Sequence, residues 1–284
     1  MQNFDFDKEK LEQYIEKLTE PNILIIGDMG IDEMIYGDTE RISREAPVLI
    51  LRHASTKIIL GQAANAAHNL ATINGGKVSA IGLYGNDYYG PMLLDAFKNA
   101  GINTDFMVQD GSRPTTVKSR ISGASFHSVT QQIVRIDRLA TNPPSKETED
   151  KIIENIEKAI PLHDAVILSD YNIGLLTDRI IAATVACAKE HGKIVVADVQ
   201  KDMYRYKGVY ALTPNQPDSE KAAGYFIKDA ATLNSAGADI LKMTDAQVLL
   251  LTRGGDGMAV FEKGKQPGRF SGIFPSENCF VIIE

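Results

Sequence analysis

Hydrophobic and polar positions recur with two different periods along this chain, and the first change of period comes near residue 21. In residues 7–19, four apolar side chains stand at helical spacing and predict a short amphipathic helix: Leu11, Tyr14, Ile15 and Leu18. Pro21 ends that helix, and the almost wholly apolar run 22–27 follows it. A short apolar run closed by Gly-Asp is typical of a strand buried on both faces, as in a parallel sheet.

Strand and helix patterns then alternate over most of the chain. The pattern predicts helices over 63–73, 90–100, 146–159, 177–191, 216–223 and 228–239. Ser145 is predicted to cap the helix 146–159. It predicts strands over 78–82, 116–122, 131–137, 165–169, 194–198, 209–213 and 247–252. Such alternation indicates an α/β fold class, a doubly wound and mostly parallel sheet with helices on both faces.

Residues 31–60 interrupt this alternation. The short β runs 48–51 and 57–60 flank a polar turn, and no helical pattern separates them. They predict a small antiparallel β lid over about 33–60, built onto the main sheet. The chain is therefore divided into an N-terminal helix, 1–20, and one α/β domain, 21–284.

Net charge, apolar runs and cysteine spacing indicate which kinds of partner and location this chain has. A net charge of -7 argues against a broad nucleic-acid-binding surface, although a few basic side chains and backbone N–H groups are enough to hold one phosphate. No run of 18 apolar residues occurs, and residues 1–20 lack the apolar core of a signal peptide. Cys187 and Cys279 are far apart and lack metal-binding spacing. We expect a cytoplasmic protein with neither a nucleic-acid nor a membrane partner.

Polar and glycine residues follow several of the predicted strands, where ligands gather in open parallel α/β sheets. They are Gly27-Asp28, Asp32, Gly82 to Gly85, Ser169-Asp170, Asp198 and Thr213-Pro214-Asn215. Any one of them alone is typical of an ordinary strand-ending turn. Together they predict a ligand-binding edge without identifying the ligand.

Two glycine-containing segments add to this edge. Gly61-Gln62-Ala63-Ala64-Asn65 precedes a helix whose N-terminus favours anions, and the apolar run 249–251 opens into Thr252-Arg253-Gly254-Gly255-Asp256-Gly257. Helix–sheet packing explains the first equally well, and a hairpin turn the second. No GxxxxGK[ST] segment occurs, and no GxGxxG follows the first strand, which argues against a P-loop or an NAD-binding domain.

Taken in order, the motifs GDxxxD, GQAAN, SDY, AD, TPN and TRGGDG resemble those of the ribokinase-like, PfkB-type carbohydrate kinases. The segment Arg41-Ile42-Ser43-Arg44-Glu45-Ala46-Pro47-Val48 is similar to the RISxEAPV segment of the D-glycero-β-D-manno-heptose-7-phosphate kinases. The likeness runs from about residue 20 to about residue 275. It implies transfer of the ATP γ-phosphoryl group to a sugar hydroxyl with Mg²⁺, and a homodimer formed through the β lid.

The resemblance also implies roles for individual residues. The sugar or sugar phosphate is expected at Asp28, Asp32, Gly61, Asn65, Arg135, Asp137 and Asp170. The nucleotide is expected at Asn215, Thr252, Arg253, Gly254 and Gly257, and the metal at Asp218.

Four departures from the family pattern bear on the activity. Gln62 stands where a second Gly is usual, Asp218 replaces the Glu of an NxxE element, and Ile173 replaces the Lys of a DYxKG segment. The D-x-x-G-A-G-D element, which supplies the family's anion hole and catalytic base, does not occur in the sequence. General base catalysis typically contributes roughly 10²–10⁴-fold. We therefore assign no catalytic residue. We expect impaired turnover, and a truncated or frameshifted copy or a gene model that stops early.

Three functions stay open at this point. The first is a kinase for a heptose or heptose phosphate, and the second is a kinase for another sugar such as fructose, ribose or a nucleoside. The third is a non-catalytic relic that binds a sugar or nucleotide or only dimerises. Sugar-dependent release of ADP separates the first two from the third.

Overall fold

The computed structural model describes residues 8–124, 130–265 and 268–270. The strands in chain order are β1 Ile23–Gly27, β2 Met29–Ile42, β3 Leu49–Gln62, β4 Val78–Ile81, β5 Leu83–Tyr84, β6 Val108–Gln109, β7 Thr116–Ala124, β8 Gln131–Arg138, β9 Ala165–Asp170, β10 Ile194–Val199, β11 Ala211–Leu212, β12 Val248–Thr252, β13 Met258–Glu262 and β14 Gly268–Phe270. The helices are α1 Lys8–Lys17, α2 Ala63–Asn74, α3 Tyr89–Asn99, α4 Lys146–Ala159, α5 Asp178–Glu190, α6 Gln216–Ala223 and α7 Ala230–Thr244.

An eight-stranded main sheet runs in the order β14-β13-β12-β11-β10-β9-β1-β4. Neighbouring strands from β12 to β4 pair in parallel, and β13 and β14 add an antiparallel edge. The strand–helix alternation of the sequence leads to this arrangement because parallel neighbours need a crossover, usually a helix, between them. The predicted α/β, mostly parallel fold class is confirmed.

Helices cover both faces of the sheet around β1. Leu24 and Ile26 join one apolar cluster with Ile156 of α4, whereas Ile25 joins a second cluster with Phe97 of α3. All five side chains are fully buried. Because successive side chains of a strand point to opposite faces, an apolar run such as 22–27 has to be buried on both.

Capping residues fix where several helices begin. The Ser145 hydroxyl accepts a hydrogen bond from the backbone N–H of Thr148 at 3.2 Å, so the predicted cap is confirmed. Asp229 and Thr232 form a reciprocal capping box at the start of α7. That helix continues to Thr244, beyond the predicted end at 239, because Leu241 and Thr244 are buried on its inner face.

The lid is a separate four-stranded sheet in the order β3-β2-β7-β8, so the predicted limits 33–60 are too narrow. Residues 52–56 belong to the continuous strand β3, and the predicted turn there is wrong. Their side chains are exposed, and polar side chains on a solvated face are compatible with a strand. β2 also pairs in parallel with β7, which is about 85 residues further along the chain.

The predicted N-terminal helix is confirmed as α1, and its apolar side chains are exposed. No helix in the described ranges is long and apolar enough to cross a membrane. The division of the chain at residue 20 stays a prediction.

Candidate functional site

A cavity of about 520 Å³ lies between the lid sheet and the carboxyl edge of the main sheet. β1, β9 and β10 run in the same direction, so the residues that follow them meet at that edge. Tyr171, after β9, and Gln200, after β10, line the cavity, together with side chains from β2, β7, β8 and the first turn of α2. The cavity therefore lies where the fold class places a ligand.

Four of the residues predicted to bind the sugar line this cavity: Asp32, Asn65, Arg135 and Asp137. Nε of Arg135 lies 2.9 Å from one carboxylate oxygen of Asp137, and its terminal nitrogen donates to the other at 3.1 Å. Asp32 pairs more loosely with Arg120, at 3.7 Å. The cavity wall thus presents carboxylate acceptors beside guanidinium donors.

Asp28 does not line this cavity; it lies beneath the cavity floor. Its carboxylate is buried and accepts backbone N–H bonds from Tyr171 at 2.9 Å, Ile173 at 3.1 Å and Leu175 at 3.2 Å. Burial, and next the negative charge of Asp170, raise the pKa of Asp28 to about 6. Both oxygens help to shape the 171–175 loop, and the expected contact of Asp28 with the sugar stays a prediction.

Asp170 is likewise buried away from the cavity wall. It accepts hydrogen bonds from the backbone N–H of Asn172 at 2.7 Å and from the hydroxyl of Tyr206, and Arg205 lies 3.7 Å from it. Burial and the charge of Asp170 raise the pKa of Tyr206, so this phenol stays protonated and donates. Asp170 therefore holds the loop that carries Tyr171 into the cavity.

Gly61 serves the site by lacking a side chain. A Cβ at this position would lie 3.0 Å from Cγ and from Oδ2 of Asp32, tighter than ordinary packing allows. Gly61 itself does not line the cavity. Because Gly61 has no side chain, the Asp32 carboxylate has room between β2 and β3.

Two basic residues of the cavity, Lys118 and Arg120, were not found from the sequence. Both lie on β7, and the lid register places Lys118 opposite Asp137 and Arg120 opposite Arg135. Side chains two residues apart point to the same face of a strand, so the alternation in Lys118-Ser119-Arg120 was the signal available. The Lys118 ammonium also lies 5.8 Å from the centre of the Tyr171 ring.

Gln62, which stands where the resembled family has glycine, borders the same cavity. Its backbone has φ 53° and ψ -130°, a conformation that favours glycine. Within the described part of the chain, neither Oε1 nor Nε2 of its buried amide has a hydrogen-bond partner. The amide lies over Gly30, where a Cβ would come within 1.8 Å of Oε1.

The predicted nucleotide residues lie further along the same edge, after β11 and β12. Asn215 caps α6 by accepting from the backbone N–H of Asp218 at 2.8 Å, and it forms a bridge with Thr252. Nε of Arg253 donates to Gln216 at 3.1 Å, which ties the two loops together. The turn from β12 to β13 requires glycine at its two left-handed positions, Gly254 with φ 54° and Gly257 with φ 85°.

The predicted metal residue, Asp218, is buried at the start of α6 and pairs with Lys221 at 3.0 Å. In the portion of the chain that the structure describes, no three His, Cys, Asp or Glu side chains form a metal-binding group. Burial, and the neighbouring charge of Asp218, raise the pKa of Asp198. Mg²⁺ is commonly held by one or two carboxylates plus phosphate oxygens, so the Asp218 carboxylate is a ligand of the right type for the predicted metal.

Residues 21–278 match the family described as pfkB family carbohydrate kinase. A protein named Bifunctional protein HldE from Desulfatibacillum aliphaticivorans is 38% identical over 248 residues, which cover 87% of this chain and 50% of that protein. A protein of the same name from Geobacter metallireducens is 36% identical over 256 residues, which cover 90% of this chain and 51% of that protein. The chain thus spans about half the length of these curated relatives.

Solved structures show the same fold. The ribokinase of Arabidopsis thaliana, complexed with ribose and ATP, aligns with a TM-score of 0.63 at 17% identity and covers 90% of this chain and 80% of that one. Phosphofructokinase-2 of Escherichia coli, in complex with fructose-6-phosphate, aligns with a TM-score of 0.68 at 12% identity and covers 91% and 82%. Because the family match covers most of this chain, the chain belongs to the pfkB family of carbohydrate kinases.

Proposed function

We propose that this chain transfers a phosphoryl group from ATP to a hydroxyl of a sugar phosphate, with a heptose 7-phosphate as the first candidate. The observation that carries the proposal is the mixed charge of the lid cavity. Lys118, Arg120 and Arg135 face the same space as Asp32 and Asp137. Carboxylates suit sugar hydroxyls, and the three cations exceed the two carboxylates by one positive charge, which suits a phosphate group better than an unphosphorylated sugar.

We expect two sets of cavity side chains to bind different parts of the sugar phosphate, its hydroxyls and its phosphate group. Asp32, on β2, is proposed to accept hydrogen bonds from sugar hydroxyls. Asn65, in the first turn of α2, can accept from or donate to a hydroxyl at the main-sheet side of the cavity. Lys118 and Arg135, on neighbouring lid strands, offer the charge that holds a phosphate group. Ile173, which replaces the Lys of the resembled DYxKG segment, lines the same cavity, and Lys118 is proposed to supply a positive charge there instead.

The choice of a heptose rests on relatives and on the lid segment. The matched relatives are named HldE, a heptose-7-phosphate kinase and adenylyltransferase. The matched half is the kinase portion, so only that activity is proposed here. The segment 41–48 resembles the heptose-phosphate kinases and connects the two long lid strands β2 and β3.

The nucleotide is proposed to bind along the β11–β12 end of the edge. Backbone N–H groups of Gly254 and Gly255 and the Arg253 guanidinium are proposed to hold phosphate oxygens. Asp218, buried at the start of α6, is proposed to hold Mg²⁺. When bound, the ion neutralises charge on the transferring phosphate.

The proposal is tested by titration calorimetry and ADP release over heptose 7-phosphate, the unphosphorylated heptose, a hexose and a pentose. Lys118→Ala is expected to weaken binding of the phosphorylated sugar about 10- to 100-fold and to leave the unphosphorylated sugar unaffected, because one charge-assisted contact is lost. The matched control is Lys57→Ala, since Lys57 also lies over a lid tyrosine, Tyr36, but outside the cavity.

The outcomes separate the three functions. Equal affinity for phosphorylated and unphosphorylated sugars would count against a sugar phosphate and favour another sugar kinase. Sugar binding without ADP release would favour the non-catalytic alternative. The expected impairment of turnover concerns residues after 270, which lie outside the described residues, and it stays a prediction that the ADP assay addresses directly.

We further propose that two copies pair through the lid sheet. The edge strand β8 exposes Ile133, Val134 and Ile136, and an edge strand with apolar side chains favours pairing with another sheet. Ile133→Lys is expected to shift the protein towards monomer in sedimentation velocity, whereas Ile73→Lys, an equally exposed site on α2, is not. The absence of nucleic-acid and membrane partners and the cytoplasmic location stay predictions.

A further inference from the structure

Gln62 combines two unfavourable features at the cavity wall. Its backbone has φ 53° and ψ -130°, which is sparsely populated by residues with a side chain. The residue is only 5% exposed, and within the described part of the chain its amide makes no hydrogen bond through either polar atom. A buried amide without partners is destabilising, so a residue of this kind in the interior calls for a partner that is not part of the protein.

The residues around the Gln62 amide leave space for it and hold its backbone in place. Gly30 leaves the space in which the amide rests, because a Cβ on Gly30 would overlap Oε1 at 1.8 Å. Ala63, the next residue, is fully buried, and its backbone N–H donates to the carbonyl of Asp28 at 3.1 Å. The backbone of Gln62 is thereby held, and the freedom left to the residue is in its side-chain torsions.

The terminal torsion decides which polar atom of the amide a neighbouring group meets. Gln62 borders the cavity together with Asp32 and Asn65. The terminal torsion of a glutamine is broad and costs little to turn. A carboxamide offers two N–H donors and one carbonyl acceptor, which match a sugar hydroxyl in either direction.

We propose that the Gln62 carboxamide is a specificity-determining residue that hydrogen-bonds one hydroxyl of the sugar bound in the lid cavity. The proposal rests on the proposed function, since it assigns a task to a residue of the same cavity. A sugar with a hydroxyl in reach satisfies the buried amide, whereas a sugar without that hydroxyl leaves it unpaired. Gln62 would therefore select among sugars by one hydroxyl.

The test measures affinity and stability in the same variants. Gln62→Gly removes the amide and the backbone strain, and Gln62→Met keeps the length of the side chain without its hydrogen-bonding groups. Both are expected to bind the preferred sugar about 10-fold more weakly in titration calorimetry. Gln62→Gly is expected to raise Tm by about 2–5 °C, because the strain and the unpaired amide are lost together. A residue with a purely structural role would lower Tm instead.

Monodeoxy sugars identify the partner hydroxyl. One deoxy sugar is expected to lose about 10-fold in affinity for the original chain and nothing further for Gln62→Met, since the two changes remove the same bond. Gln109→Ala, at an exposed glutamine outside the cavity, is the matched control and should change neither quantity.

The outcomes distinguish the two proposals. If the original chain binds a sugar and both variants bind it and every deoxy analogue equally well, the assignment of Gln62 is overturned and the proposed function stands. If the original chain binds no sugar of the panel, the proposed function fails and the assignment fails with it. Both proposals are supported if the variants bind the sugar more weakly, Gln62→Gly has a raised Tm, and one deoxy sugar loses affinity for the original chain but not for Gln62→Met.

Discussion

The buried carboxyl of Asp28 should make the stability of this protein depend on pH in an unusual direction. Most carboxylates with hydrogen-bond partners have lowered pKa values and stabilise the fold as pH rises. For Asp28, burial and the charge of Asp170 outweigh three backbone N–H bonds and raise its pKa from 3.8 to about 6. The folded protein therefore binds a proton at this site more readily than the unfolded chain does.

The sign and size of the effect follow from linkage. Because the folded pKa is the higher one, the contribution of Asp28 to the free energy of unfolding is fully present below pH 3.8 and is lost as pH rises through about 6. A shift of about 2 units corresponds to roughly 3 kcal/mol. Most of that change should fall between pH 4 and pH 6.

The assay compares the original chain with Asp28→Asn in urea unfolding at pH values from 4 to 7. Asparagine does not titrate, so the difference between the two free energies of unfolding isolates the carboxyl. That difference should fall by about 2–3 kcal/mol as pH rises, whatever its constant offset. Asp105→Asn, at an exposed aspartate, controls for the loss of one charge. A difference that stays level or rises across this range would refute the reasoning.

Three further outcomes follow from single contacts. Gly237→Ala should lower the free energy of unfolding by about 1–2 kcal/mol in urea titration, because the Cβ of the alanine would lie 2.5 Å from ring carbons of buried Phe261. Unchanged stability would show that the ring moves freely. Thr177→Ala should cost about 1 kcal/mol in the same measurement, since the hydroxyl caps α5, and no loss would mean that the cap contributes nothing. Arg253→Ala should weaken ATP binding about 10-fold in calorimetry and leave sugar binding intact; equal weakening of both would contradict its place at the nucleotide end.

The site shows where prediction from the sequence stops. Asp32, Asn65, Arg135 and Asp137 were predicted and do line the cavity. Asp28 was chosen by the same reasoning and lies beneath it. A residue that follows a strand is brought to the right edge by the alternation alone. Whether its carboxylate faces a ligand or ties down the next loop depends on what is packed around it.

The local pattern determined the succession of strands and helices, the cap at Ser145 and the parallel sheet, because period and capping are properties of neighbours in the chain. Only the tertiary structure placed β7 against β2 and so brought Lys118 and Arg120 to the cavity. It also showed that Gly30 makes room for Gln62, a match between residues on two paired strands. Such pairings are decided by packing between segments far apart in sequence, and the local periodicity of a single segment does not encode its partner.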